Sequence, residues 1–422
     1  MKGLKLSLMV LTATMLALGL SGMAYAFHSG GVAECTGCHS MHSPKAGGSF
    51  LLIGIDQSST CLSCHQQTGL ASPSSYHIST ADADMPTGVP PKQRTPGGDF
   101  GWLKKSYTFT VRGTTTTEAG ETHGHNIVAT DFGYVADPTN TTAPGGTFPS
   151  SQLGCQSCHD PHSANRRRSD GTYVKNVYTI GQVTDPIIGS GSYNNSASPA
   201  AGQAVGVYRL LRGLGDISQG VTFNGVAIAI APSTYNQTEA TNQVRVAYGA
   251  SAANTWGNWC ATCHPGMHSS GNYVHPVDQD LTTAIANNYN AYVKSGDLTG
   301  TSATSFSSLV PFMENTGDIT TLQNHAKNNN TYLNGPSSSD KVACLSCHRA
   351  HATGWPDMLR WNMEGEFMVY NSQYPGTDTT PTVPQFARGR LGAETQAAYY
   401  DRPVTQFASF QRVLCNKCHA KD

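Results

Sequence analysis

Twelve cysteines and sixteen histidines carry the chemistry of this 422-residue chain. All twelve cysteines fall in six copies of Cys-x-x-Cys-His. They are CTGCH (Cys35, Cys38, His39), CLSCH (Cys61, Cys64, His65), CQSCH (Cys155, Cys158, His159), CATCH (Cys260, Cys263, His264), CLSCH (Cys344, Cys347, His348) and CNKCH (Cys415, Cys418, His419). Two thiols three residues apart with an imidazole directly after them meet the needs of a covalently attached c-type haem. The thiols form thioether bonds to the porphyrin and the imidazole binds the iron. Zinc sites and redox dithiols account for a lone Cys-x-x-Cys, and disulfides for cysteines in an exported chain. None of these requires a histidine after every pair. The sequence therefore predicts six covalently bound haem c groups.

Six irons have six further axial positions, and ten histidines lie outside the motifs: His28, His42, His77, His123, His125, His162, His268, His275, His325 and His351. Methionine is the alternative ligand. Met41 and Met267 lie beside motifs, but packing is the expected role of the methionines. The first, third and fifth motifs carry a second histidine three residues after the first: His42, His162 and His351. In the fourth, His268 is one residue out of step. The haems thus read as three pairs, each opened by His-x-x-His, in a weak internal repeat.

Residues three apart on a helical turn point in neighbouring directions. His42 cannot pass around the porphyrin to the far face of the haem on His39, so as a ligand it must serve a different haem. If each second histidine reaches back to the preceding pair, His351 serves the middle pair and His162 the first. His42 has no preceding pair and would serve the last pair of another subunit. His125 in GHN and His275 in VHP precede turn-favouring residues that can present a ring inward. His77 and His325 follow in rank. Distal ligands are expected to fix their tautomer by donating Nδ1–H to a backbone carbonyl.

The elements that must position these groups are short. Charged residues make up 13% of the chain, and Gly (44) and Pro (22) are abundant. Such a composition is loop-prone and too poor in apolar residues for a large conventional core. The expected fold class is mostly irregular and loop-rich, with short helices centred on the motifs and few short strands, wrapped around a linear chain of six haems. Residues 1–26 read as a cleaved signal peptide. Lys2 and Lys5 precede a short apolar run, and Ala24-Tyr25-Ala26 closes it. The mature chain is then 27–422, a single hexahaem domain starting at Phe27, exported, with no transmembrane segment. The run Arg166–Arg168 is expected to pair with haem propionates or to be a solvated charge run, and TTTT at 114–117 to be surface strand or loop. The formal charge of −1 becomes about −13 with twelve propionates and about −7 with six ferric irons, which suits basic redox partners. No phosphate loop, nucleic-acid signature or hydrolytic constellation is present. All six motifs end in His, which argues for an electron carrier over an open-iron enzyme.

Beyond the motifs, the chain resembles the OmcS-type outer-surface hexahaem c-type cytochrome filaments of metal-reducing bacteria, the nanowire family. FHSGGVAEC (27–35), SSYHIST (74–80), TPGGDFGW (95–102), GHNIVA (124–129), DPH (160–162), APSTYN (231–236), SGDLTGT (295–301), CLSCHRAHA (344–352) and CNKCHAKD (415–422) carry the resemblance over nearly the whole mature chain. It implies a paralogue within that family: a head-to-tail homopolymer on the outer cell surface, with stacked bis-His haems. Electrons would pass from other redox cytochromes to extracellular acceptors such as metal oxides or partner cells. It further implies that His42 ligates the haem of His348 in the adjacent subunit. It also favours His125 over His123 in HGHN, and keeps His28 and His268 as possible ligands. The competing expectation is a monomeric secreted shuttle or terminal metal-oxide reductase.

Overall fold

A computed structural model describes residues 35–45, 50–67, 76–175, 184–268 and 275–419. The expected leader, the start at Phe27 and His28 lie outside these residues. Helices are short: α1 (Cys35–Cys38), α2 (Gln57–His65), α3 (Cys155–Cys158), α4 (Trp256–Ala261), α5 (Thr282–Ala291) and α6 (Asn416–His419) are the ones that bear on the sites. The fifth motif forms a 3₁₀ turn at Cys344–Ser346. Among the described residues no helix is long and apolar enough to cross a membrane. Two of these helices begin on a side-chain cap. Asp56 accepts from Ser59 N at 2.7 Å to begin α2, and Thr255 accepts from Asn258 N to begin α4.

The strands make small separate sheets. The threonine run is β2 (Thr114–Glu118), paired in a hairpin with β1 (Tyr107–Val111) across Gly113, whose φ of 81° suits the tight turn. The arginine run lies in β3 (Asn165–Arg168), the middle strand of a sheet with β4 (Tyr173–Lys175) and β5 (Ala204–Gly206). It is not a solvated charge run. Arg166 and Arg167 are buried, Arg166 donates to the Ser163 and Asp185 carbonyls, and Arg168 pairs with the Asp185 carboxylate at 2.7 Å. A third sheet joins β6 (Ile228–Ile230), β7 (Ala247–Gly249) and β8 (Met313–Glu314), and β9 (Phe367–Tyr370) pairs with β10 (Phe410–Arg412).

The composition argued against a substantial core, yet four apolar clusters are present. Large aromatics compensate for the low count of aliphatics, each burying a large area. Trp102, Trp355, Trp361, Tyr289 and Tyr399 anchor the largest cluster. Between the clusters run buried ion pairs: Glu118 with Arg388 and Arg390, Glu239 with Arg402, and Glu314 with Arg245.

Candidate haem-binding sites

The six motifs share one local construction. The histidine amide donates to the carbonyl of the first cysteine, four residues back, at 2.8 Å for His39, 2.9 Å for His159, 3.0 Å for His264 and His348, and 3.1 Å for His419. His65 ends α2 in the same phase. One helical turn thus sets both thiols and the imidazole of each motif in fixed relation.

The thiols run through the molecule as a line. Cys38 lies beside Cys61 and Cys64, and the Cys61 and Cys155 thiols are within hydrogen-bonding reach. Cys158 neighbours Cys263, Cys260 contacts Cys344, and Cys347 neighbours Cys415 and Cys418. The motifs therefore succeed one another in space in the order in which they occur in the sequence.

The alternation of motifs has a structural basis that the sequence did not display. In the first, third and fifth motifs the histidine bridges a leucine: His39 to Leu52, His159 to Leu211 and His348 to Leu359. Two residues before each leucine, a carbonyl accepts from the histidine Nδ1: Phe50 O at 2.9 Å, Arg209 O at 2.6 Å and Asp357 O at 2.7 Å. The two residues preceding each leucine are left-handed, with φ of 59° and 56° at Phe50 and Leu51, 51° and 55° at Arg209 and Leu210, and 56° and 59° at Asp357 and Met358. Non-glycine residues adopt this conformation at a cost. Here it turns a carbonyl onto the imidazole, fixing the tautomer so that Nε2 is free for a metal. The triplets FLL, RLL and DML are the signal. They follow their histidines by 11, 50 and 9 residues, and no fixed period exposes them.

Distal candidates divide by what they face. The rings of His125 and His264 have centroids 6.0 Å apart, and those of His275 and His419 are 6.3 Å apart. Two imidazoles bonded through Nε2 to opposite sides of one iron stand about 6 Å apart, given metal–nitrogen bonds of about 2 Å. His125 Nδ1 donates to Ala350 O at 2.7 Å and His264 Nδ1 to Pro144 O at 2.9 Å, leaving both Nε2 atoms free. Burial, with His264 adding to it, pushes His125 down to about 4, so its lone pair is available at neutral pH. Burial and then the nearby His159 push His351 down to about 3. His77 is lowered by burial and by its neighbour His65. These four neighbour relations join motif histidines to His125, His275, His351 and His77.

The remaining candidates have other surroundings. His123 is fully buried with both nitrogens engaged, Nδ1 with Trp102 O at 3.0 Å and Nε2 with Glu118 at 2.7 Å. That arrangement separates it from His125 two residues on. His325 donates Nδ1 to Glu314 at 2.6 Å and stacks on Tyr332 at 4.0 Å. The structure thus brings His325 to a carboxylate and a tyrosine. His268 bonds Asp278 at 3.1 Å. His162 is largely exposed beside Asp160, and His42 is exposed near the N-terminal motif. His348 forms no ring pair like that of His125 with His264 among the described residues, although His264 lies near enough to influence it.

This donor set fits haem. Each motif offers a thiol pair and a tautomer-fixed or free imidazole, and four of the six stand near a second histidine. No group of three or more His, Cys, Asp or Glu side chains that could hold a bare metal ion occurs among the described residues.

No protein-family model matches the chain. It is similar to the curated C-type cytochrome OmcS of Geobacter sulfurreducens, 51% identical with both chains covered over their full length. Its fold matches two solved structures. The first, a cryo-EM structure of OmcS nanowires from the same organism, has a TM-score of 0.84 and 49% identity. The second, an Outer Membrane Cytochrome S filament from that organism, has a TM-score of 0.85 and 50% identity. Both comparisons cover 94% of this chain and 100% of the other.

Proposed function

The chain belongs to the OmcS family of c-type cytochromes, and on that premise we propose that it is an extracellular electron carrier. In this reading copies join head to tail into a conductive filament at the outer cell surface. Each mature chain, from Phe27, holds six haem c groups through its twelve motif cysteines, and bound haem supplies reversible one-electron iron chemistry. The protein's residues keep that chemistry outer-sphere. Two imidazoles per iron leave no position open for a substrate, and tautomers fixed by backbone carbonyls limit rearrangement on reduction. Other redox cytochromes supply electrons, and extracellular acceptors such as metal oxides or partner cells receive them.

The observation that supports this reading most is the single file of motif thiols running from Cys38 to Cys418. Sites this close suit electron hopping along the line. His42 then completes the line between copies. It is exposed at one end of the file, and His348, like His39, has no paired imidazole ring among the described residues. Ligation of the His348 iron by His42 of the next copy is heterologous contact, and contact of that kind that does not close yields a filament.

His42→Ala tests the reading. Each protomer should keep its fold and six haems, one haem per chain should become five-coordinate, and filaments should shorten or vanish under electron microscopy. Normal filaments with six low-spin haems in the variant would sink the proposal. A monomeric wild type with all six haems low-spin would favour a soluble shuttle instead.

A further inference from the structure

Two residues stand between the cysteines of each motif, and Lys417 in the sixth is the only charged one at these positions. Its side chain does not turn out to water: Lys417 is 4% exposed. Nζ donates to Tyr289 O at 3.2 Å and Tyr292 O at 3.0 Å, and stands 4.2 Å from the centre of the Tyr289 ring. Two carbonyls and one aromatic face take up the three N–H groups of an ammonium. A neutral amine would turn a lone pair toward one of these electron-rich partners, so the arrangement suits the cation. No carboxylate pairs with it among the described residues.

Part of this arrangement is mechanical. Tyr289 lies in the last turn of α5 and Tyr292 caps it, and a lysine there satisfies carbonyls at the negative end of the helix. Asn288 adds to the same clamp, donating from Nδ2 to Cys418 O at 3.0 Å. An uncharged donor serves for a clamp, as Asn288 shows. Lys417 adds a full positive charge, which the helix end, equivalent to about half a negative charge, offsets only in part. Cys415 and Cys418 flank this residue and bond the porphyrin in the six-haem reading, and His419 binds its iron. The charge is therefore held beside that haem by covalent structure. A buried charge is weakly screened and acts over such distances.

The geometry points to Lys417 as a residue that sets the reduction potential of the haem on His419. A fixed positive charge beside the iron opposes the ferric state and favours the ferrous one. The electron comes from a neighbouring ferrous haem, which becomes ferric as this one becomes ferrous. The other five motifs have no charge in the corresponding loop. In the proposed filament the electron thus has one preferred resting point per copy, at the last haem of the file. The inference rests on the six-haem reading above.

The test is a potentiometric titration of the purified full-length holoprotein at neutral pH, followed by haem absorbance. Lys417→Gln should lower the reduction equilibrium constant of one haem about tenfold, 59 mV for a one-electron couple. One haem's share of the absorbance change should move and the rest should stay. Lys417→Arg keeps the charge and should keep the wild-type curve. Asn288→Ala weakens the same clamp without altering charge, and it should leave every potential in place. If Lys417→Gln does not fold, Lys417→Met, whose unbranched stem fills similar space, takes its role. An unmoved curve in the neutral variant would overturn the proposal. So would an equal shift in Asn288→Ala or in Lys417→Arg, which would make the effect one of packing, or a shift accompanied by a high-spin signal, which would assign it to a lost ligand. A haem count by intact mass below six per chain in the wild type would instead overturn the reading beneath it.

Discussion

The His125 and His264 rings stand 6.0 Å apart by centroid, each with Nδ1 tied to a backbone carbonyl and Nε2 left free. One ring belongs to a motif and the other lies 139 positions earlier in the numbering. An iron between them would join two remote segments. Replacing His125 by Ala should convert one haem in six from low-spin to high-spin ferric, measured by quantitative electron paramagnetic resonance. His123→Ala should leave all six low-spin. The opposite pattern would show that His123 is the ligand.

The backbone beside His125 offers a second route to the same sites. The His125 amide donates to His351 O at 2.9 Å, and a Cβ on Gly124 would come within 2.3 Å of that same oxygen. Gly124→Ala must push the two segments apart and so displace His125 and His351 together. Two haems, those of His264 and His159, should lose low-spin character in this variant while the other four retain it. Loss of one alone would show that the two segments move independently.

The left-handed pairs predict a stability pattern. Met358 holds φ of 59° so that Asp357 O can meet His348 Nδ1. Met358→Gly should remove a strain of about 1–2 kcal/mol, offset by the greater freedom of glycine in the unfolded chain. Met358→Val, branched at Cβ, should destabilise the protein and lower its midpoint of thermal unfolding. Equal midpoints for the two variants would contradict this account.

Acid should attack the protein at Glu118. Burial opposes its ionisation, but the hydrogen bond from His123 and the charge of Arg390 outweigh burial and hold it at about 2, below the ordinary 4.5. A depressed carboxyl stabilises the fold fully above its ordinary value, and that contribution fades as pH falls toward 2. Glu118→Gln leaves Arg390 buried and uncompensated, which costs about 3–5 kcal/mol near neutral pH. Thermal unfolding at pH 6 and pH 3 should show a smaller difference in the variant than in the wild type.

Much of the molecule could be read before any coordinates. The six motifs and the alternation of His-x-x-His with plain motifs follow from spacing alone, and the loop-rich fold follows from composition. Spacing alone did not choose between His123 and His125; the family resemblance favoured His125, and the fold adds Glu118, which is buried against His123. His325 ranked behind His275 in the sequence, which gave no sign that the fold would set its Nδ1 on Glu314 and its ring on Tyr332. The leucine triplets escaped notice because loops of different length separate them from their histidines. The arginine run at 166–168 gave no sign that it would be the middle strand of a sheet.

The agreement between thiol order and chain order has a consequence for how the molecule is made. A polypeptide that crosses a membrane N-terminus first presents its attachment sites one at a time, each beside the site just completed. Under the proposed pairing, the second motif meets His77 almost at once, and the fourth and sixth find His125 and His275 already delivered. Of these four, only the third must wait, for His351 from the fifth motif, so its iron stays half-ligated through much of secretion. That interval is the one at which a maturation chaperone, or a misplaced ligand, would leave its mark.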